Sequence, residues 1–193
     1  VEVLHKYGIE TWLLDLASYI FPLAAYKEVA KEIEKRVEAQ GVHLMFGVTI
    51  DHMEQENGEK TAVLTDGSRI PADIVGLCIG TRAITETVQG EVEIGRGIVV
   101  DDHMRTSVPG IYAAGDCCEG NNLESGQNQI IGLWANANHQ GETAGINMAG
   151  GDMAYKGNIL HNITHFMNMD FIGFGDNRMQ GEILEYGSLS EDL

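Results

Sequence analysis

The sequence predicts an α/β chain built from parallel-sheet units, with a small antiparallel insert between them. Three observations predict it. A helix, a glycine and a short apolar strand closing on an acidic residue follow one another at the start of the chain. A stretch of alternating apolar and polar residues, punctuated by Asn57-Gly58 and Asp66-Gly67, has the rhythm of short antiparallel strands. Third, the run Thr106 to Glu119 (TSVPGIYAAGDCCE) joins a turn, a short apolar segment and a Gly-Asp pair, and a helical pattern follows it.

Composition narrows the function classes. The chain has 193 residues, of which 44% are hydrophobic, enough for a packed core. Its formal net charge is −17. With no basic cluster to neutralise phosphates, this argues against a nucleic-acid partner and against docking on anionic lipid. Dinucleotides stay open, because backbone N–H groups and helix ends can hold them. No apolar run approaches the roughly 18 residues of a membrane span. The three cysteines show neither disulfide nor zinc spacing, which fits a reducing cytosol and predicts a cytoplasmic location.

Taken in order, Val1 to Tyr7 reads as the end of a helix with Gly8 as its left-handed cap. Ile9 to Leu14 is a short strand ending at Asp15. Residues 25–40 form an amphipathic helix in which Tyr26, Val29, Ala30, Ile33 and Val37 make one stripe and Gly41 ends the helix. Strands follow on either side of Asn57-Gly58, and Ile74 to Ile79 reads as a buried strand ending at Gly80 that carries Cys78 into the core. Ile98 to Asp101 is a strand before the central run. In that run Ile111 to Ala114 is a buried parallel strand, and Gly115-Asp116 ends it. Ligands of open α/β sheets bind beyond the carboxyl ends of strands. A glycine there lets a ligand approach the backbone, and an ionised Asp, an acceptor only, suits hydroxyl groups. A Gly-Asp turn after a core strand is the alternative for the dipeptide alone.

Residues 119–129 read as an exposed, mobile polar loop. A helix over 132–148 would place Trp134, Ala137, Gly141, Ala144, Gly145 and Met148 on one core face. Residues 155–176 read as extended. His161 and His165 are four apart, but on a strand, and no metal site is assigned to them. Cys117-Cys118 reads as a pair of structural thiols, since a vicinal pair closes a disulfide poorly.

With its flanks, the run from Thr106 to Glu119 closely resembles the second flavin-binding motif of the two-dinucleotide-domain flavoprotein reductases, also called pyridine nucleotide-disulfide oxidoreductases. The matching residues are Thr106, Pro109, Ile111 to Ala114, Gly115 and Asp116. The run LWANANHQGETAGINMAG is similar to the branch containing nitrite reductase large subunits, rubredoxin reductases and NADH oxidases. The resemblance implies portions of two Rossmann-like FAD/NAD(P)-binding domains with a three-stranded β insert, followed by the start of a C-terminal α+β interface domain. Its implied boundaries are 1–85, 86–152 and 153–193.

The resemblance also implies the site. Gly115 and Asp116 would hold the ribityl chain of FAD. The helix start at Gly132, Leu133 and Trp134, with unpaired N–H groups, would face the flavin's pyrimidine side. Asp15 would hold the adenosine ribose of NAD(H), and the lack of Arg in Leu16 to Ile20 favours NADH over NADPH. Gly80 would lie beside the dinucleotide, although Thr81-Arg82-Ala83 lacks the proline that often follows. Neither glycine fingerprint of the family occurs in the sequence, and the chain is expected to be the middle and later portion of a longer reductase. The implied activity is hydride transfer from nicotinamide to flavin and on to an acceptor, which could be an electron-acceptor protein, in a homodimer. No side chain is needed as acid or base, so no catalytic residue is assigned. A reading from another class, a binding or assembly module that keeps the fold without flavin, differs from it in visible absorbance.

Overall fold

The structure, a computed structural model, describes residues 1–88, 90–176, 181–184, 186 and 187. The chain divides into two compact units, one of Val1–Cys78 together with the chain from His161, the other of Ile79–Leu160.

In the first unit, α1 (Glu2–Lys6) stops at Gly8, whose φ of 69° suits a residue without Cβ. Then β1 (Trp12–Asp15), α2 (Lys27–Ala39) and β2 (His43–Phe46) form a crossover unit, with the two strands parallel and Asp15 opposite Phe46. The α2 stripe buries Ala30, Ile33 and Val37 against Ile20, Ala25, Val42 and Met167. Each large apolar side chain buried this way contributes roughly 1.5–3 kcal/mol. Tyr26, expected in that stripe, is instead the exposed N-cap, since the helix begins one residue later.

The insert is a three-stranded antiparallel sheet of β3 (Ile50–Glu56), β4 (Glu59–Leu64) and β5 (Arg69–Pro71). Asn57 and Gly58 both have positive φ, 52° and 90°, as a two-residue hairpin with the twist of its strands demands. Leu64, Ala62, Ile70 and Val48 form its core.

The second unit has two short strands, β6 (Gly120–Asn121) and β7 (Asn128–Gln129), and one long helix, α3 (Trp134–Met148). Much of the rest of the unit is irregular, tied by isolated bridges such as Arg105–Tyr112 and Ile98–Cys118. Its core gathers Val100, Met104, Ala113, Cys118, Ala144 and Tyr155.

Back in the first unit, β8 (His161–Phe166) and β9 (Met169–Phe174) form a hairpin. Phe166, Met169 and Phe171 on one face pack into the α2 cluster, where Phe21 stacks on Phe171 with ring centres 5.4 Å apart. Gln40 Nε2 donates to Met167 O at 3.2 Å and ties the hairpin turn to the end of α2. On the other face Ile163 pairs with Ile172, and both are exposed. His161 stacks on Phe174, and His165 bonds Asp170 at 2.7 Å, so the two histidines have separate neighbours.

Several expectations are corrected. Residues 74–80 form no strand, and Cys78 is exposed rather than core. Ile111 to Ala114 and Ile98 to Asp101 form bridges rather than ladders. An apolar run becomes a ladder only where a second segment pairs with it over several residues; among the described residues Ile98 and Tyr112 are held only at isolated bridges, and residues 74–80 join no sheet. Residues 119–129 are no mere exposed loop: β6 and β7 pair there, and Gly120 and Asn122 are buried. The face of α3 is the largest correction. Trp134 is 84% exposed and Met148 67%, while Asn136, Gln140, Thr143, Ala144 and Asn147 are buried.

Gly173 shows how closely the hairpin sits on the first unit. A Cβ at this position would lie 2.7 Å from Ala24 O and 3.2 Å from Ala24 Cβ. Gly173→Ala is therefore expected to push β9 off that segment and destabilise the protein by about 1–3 kcal/mol. Urea denaturation monitored by circular dichroism would read this as a lower midpoint. An unchanged midpoint would contradict the contact.

Candidate functional site

The site is built on one turn. Thr106 Oγ1 accepts the N–H of Val108 at 3.2 Å, and the Ile111 N–H closes on Val108 O at 3.1 Å, so the Pro109-Gly110 segment reverses the chain. Ala113 N–H then donates to Met104 O at 3.1 Å and leads the backbone into Gly115. Gly115 has φ of 82°, a left-handed conformation that disfavours any side chain. Cys118 N–H donates to Gly115 O at 3.1 Å, so Gly115 to Cys118 is a hydrogen-bonded turn with Asp116 as its second residue. Asp116 is exposed, and among the described residues no hydrogen bond or ion pair engages its carboxylate.

Helix α3 faces this turn. Gln140, fully buried, accepts the Gly115 N–H on Oε1 at 2.8 Å. Ala137 lies against Gly115, and Asp116 Oδ2 stands 3.8 Å from where a Cβ of Gly132 would be. The helix starts at Trp134 after an extended Leu133, and no side chain caps it. Its first-turn N–H groups are thus open to a ligand, and a helix start carries roughly half a positive charge. Leu133 differs from expectation: its N–H donates to Ile131 O at 2.8 Å and is not available.

Three polar residues of α3 complete the scaffold, and hydrophobic periodicity overlooks them. Asn136 Nδ2 donates to Ile131 O at 3.0 Å, and its Oδ1 accepts from the Tyr155 hydroxyl. Asn147 Nδ2 donates to His103 O and Met153 O at 2.9 and 2.8 Å, and its Oδ1 accepts the Met153 N–H at 2.8 Å. With Gln140 they satisfy backbone groups of loops that have no ladder to join. The signal in the sequence is the polar spacing 136, 140, 147 along one helix face.

Burial pushes the Cys118 thiol up to about 12, and nearby Cys117, Glu119 and Asp116 add to it. The thiolate, the reactive form, is thereby disfavoured at neutral pH. Burial likewise pushes the Tyr155 hydroxyl up to about 12.

The structure brings Gly115, Asp116, Gly132, Leu133 and Trp134 together in the second unit. Gly80, with φ of 96° in an exposed segment, belongs to the same unit. Asp15 belongs to the first, at the carboxyl end of the parallel pair β1–β2. Its Oδ1 accepts the Ala17 N–H at 2.8 Å, which makes it a turn residue and leaves Oδ2 without a partner among the described residues.

Comparison with known proteins gives consistent relatives. The family model described as pyridine nucleotide-disulphide oxidoreductase matches residues 2–141. An NADH oxidase of Enterococcus faecalis is 31% identical over 160 residues, covering 81% of this chain and 36% of its own length. The chain thus spans about a third of the length of the curated relatives it matches. Among solved structures, the NADH-bound water-forming NADH oxidase of Lactobacillus brevis is 26% identical with a TM-score of 0.86, over 91% of this chain and 39% of the other. An engineered NADPH oxidase, a five-substitution variant of that enzyme bound to NADPH, is 25% identical with a TM-score of 0.84, over 89% and 38%. In it an Asp becomes Ala, the next residue becomes Arg, and a Pro seven positions beyond the Asp becomes Arg.

The far end of α3 supplies a pH test of the scaffold. His103 Nδ1 lies 2.6 Å from Asp102 Oδ1, and Nε2 lies 3.0 Å from Asp152 Oδ1. The hydrogen bond to Asp102 raises the imidazole above its ordinary 6.5, with Asp152 adding to it and desolvation and Arg105 opposing. A raised folded value means the stabilisation is full below about pH 6.5 and fades as pH climbs through that value. The urea midpoint of the natural protein should therefore exceed that of His103→Gln most at about pH 6 and least at about pH 9. An advantage that does not shrink would refute the assignment.

Proposed function

The chain belongs to the pyridine nucleotide-disulphide oxidoreductase family, and from that premise we propose that it forms part of an FAD-dependent NAD(P)H oxidoreductase. The observation that carries the reading is the unpartnered Asp116 carboxylate at the exit of a left-handed Gly115, beside an uncapped helix start. The donor set fits the cofactor. A carboxylate accepts from the alcohols of a ribityl chain, and neutral N–H donors suit the polar edge of an isoalloxazine. FAD, when bound, would supply the capacity to accept a hydride from nicotinamide and to pass electrons on to an acceptor.

The chain's own residues would bind and orient. Asp116 would accept hydroxyl donors, with Gly115 giving the backbone its turn. Gly132 would leave room beside that carboxylate, and Trp134 would open α3 with free N–H groups facing the ring, favouring its anionic reduced form. Asp15 would accept a ribose hydroxyl on the oxygen that Ala17 does not use. Gly80 would lie beside the dinucleotide. No group is assigned a proton to move. Residues 1–85 would be the remainder of the nicotinamide domain, 86–152 the returning half of the FAD domain and 153–193 the start of an interface domain. The break between compact units falls after Cys78, near the first of these boundaries, and the same division joins the chain from His161 to the first unit. A homodimer is proposed for the intact protein, supported by the exposed outer hairpin face of Ile163, Ile172 and Phe174. A cytoplasmic setting is supported by three free cysteines.

NADH is proposed as the donor. Asp15, Leu16 and Pro22 stand at the same spacing as the Asp, its neighbour and the Pro replaced in the engineered NADPH oxidase.

Two experiments test the proposal. Asp116→Ala should weaken FAD binding roughly tenfold to a hundredfold, as expected for losing a charge-assisted hydrogen bond. Titration followed by flavin absorbance measures it, and an intact protein that neither carries nor takes up FAD would overturn the reading. Asp15→Ala combined with Leu16→Arg should move the ratio of NADH to NADPH flavin-reduction rates by about tenfold or more toward NADPH. An unmoved ratio would remove Asp15 from the nicotinamide dinucleotide site.

A further inference from the structure

Gln140 combines three properties found together nowhere else among the described residues. It is fully buried, its Oε1 accepts the N–H of Gly115 at 2.8 Å, and its Nε2 is a buried polar atom without a hydrogen-bond partner. Rotating the amide by half a turn would set Nε2 against the Gly115 N–H, donor against donor. The side chain is thus committed to one orientation, in which one acceptor is used well and one donor is wasted. An orphaned buried donor is unfavourable, so the compensating contact must be worth keeping.

That contact governs both ends of the Asp116 turn. Gly115 opens it, and Cys118, which closes it, points its thiol at the same Oε1 from 3.7 Å and at Gly115 O from 3.4 Å. The Gln140 amide packs close to the Gly120 backbone, where a Cβ would overlap Nε2. Gln140 lies six residues into the helix whose start stands beside Asp116, about 9 Å along its axis. One rigid element thus fixes the turn and presents the N–H groups next to it.

We propose that Gln140 is a positioning residue for the flavin: through the Gly115 N–H it holds the turn that aims the Asp116 carboxylate at the ribityl hydroxyls. This rests on the flavin reading given above. Gln140 itself touches no cofactor; it acts on the backbone that carries the residue that does.

The test uses the intact protein with FAD as the probe. Gln140→Met keeps the side chain's length and removes the acceptor. Gln140→Glu keeps an acceptor oxygen, and burial holds its carboxyl protonated at mildly acidic pH. Thr143→Val changes an equally buried polar residue on the same helix whose hydroxyl, among the described residues, bonds only its own helix, at His139 O. At about pH 6, Gln140→Met should weaken FAD binding about tenfold or more and speed hydrogen exchange at the Gly115 amide. Gln140→Glu should restore both to within about threefold, and Thr143→Val should change neither by more than that. Because ionisation of the introduced Glu would set a second negative charge beside Asp116, its rescue should weaken as pH rises. FAD binding by Gln140→Met equal to the natural protein's, or equal losses in Gln140→Met and Thr143→Val, would overturn the proposal. Should Gln140→Met fail to fold, a folded Gln140→Glu that loses FAD at about pH 6 overturns it alone. A natural protein that binds no FAD refutes the flavin reading instead, and the Gly115 exchange rates then still decide whether Gln140 holds the turn.

Discussion

The hydrogen bond from the Gly115 N–H to Gln140 Oε1 orders the second unit around it. Gly115 must hold a positive φ for the chain to leave the core and present Asp116 to solvent. A glycine accepts that conformation but does not enforce it, because it loses more conformational freedom on folding than any other residue. The enforcement comes from outside the turn, from a side chain on a helix of 15 residues. The helix is stiff over this length, so the carboxylate and the helix start keep a fixed relation that a loop-to-loop contact would not preserve. The wasted Nε2 donor is a local loss of about 1–3 kcal/mol, which the rest of the unit's packing offsets.

The same reasoning explains why α3 turns its polar side inward. A helix packed on a continuous sheet meets side chains, and its apolar stripe is the natural contact. Here α3 packs on irregular backbone around residues 103, 115, 131 and 153, whose N–H and C=O groups need partners. Asn and Gln carry both a donor and an acceptor and can serve a carbonyl and an N–H at once, as Asn147 does for both backbone groups of Met153. Hydrophobic periodicity assumes that burial selects apolar residues. It therefore assigned Trp134 and Met148 to the core when both are exposed.

Features that depend on near neighbours in sequence were legible. The α2 stripe, the Asn57-Gly58 hairpin, the glycine ends of α1 and α2, and the extended 161–174 segment each follow from local spacing or from one residue's φ. The Gly115-Asp116 turn was legible for a different reason: the resemblance to a family motif over more than a dozen positions marks it, and Gly115 has the positive φ of such a turn. The strand assignments of Ile74 to Ile79 and Ile111 to Ala114 failed because a ladder depends on a partner edge, and nothing within a short apolar run says whether one exists. Gln140 was illegible because its importance lies in a single acceptor meeting a distant backbone N–H, a relation without periodicity.

The charge distribution bears on what kind of ligand the turn can take. The chain carries 29 acidic residues against 12 basic ones. Several of the cations are already engaged, Arg69 with Glu54, Lys6 with Glu2 and Arg105 with Asp101. Such exposed pairs add little stability, but among the described residues they occupy part of the basic groups that could receive an anion. Around Asp116 the available groups are instead a carboxylate acceptor and uncharged helix N–H donors. Bare phosphate would meet repulsion from Asp116, whereas a polyol would satisfy it without any change in net charge. Such surroundings suit a ligand that presents hydroxyls to a carboxylate and polar edges to backbone donors. The Gly115–Asp116 turn beside the uncapped start of α3 offers that pairing.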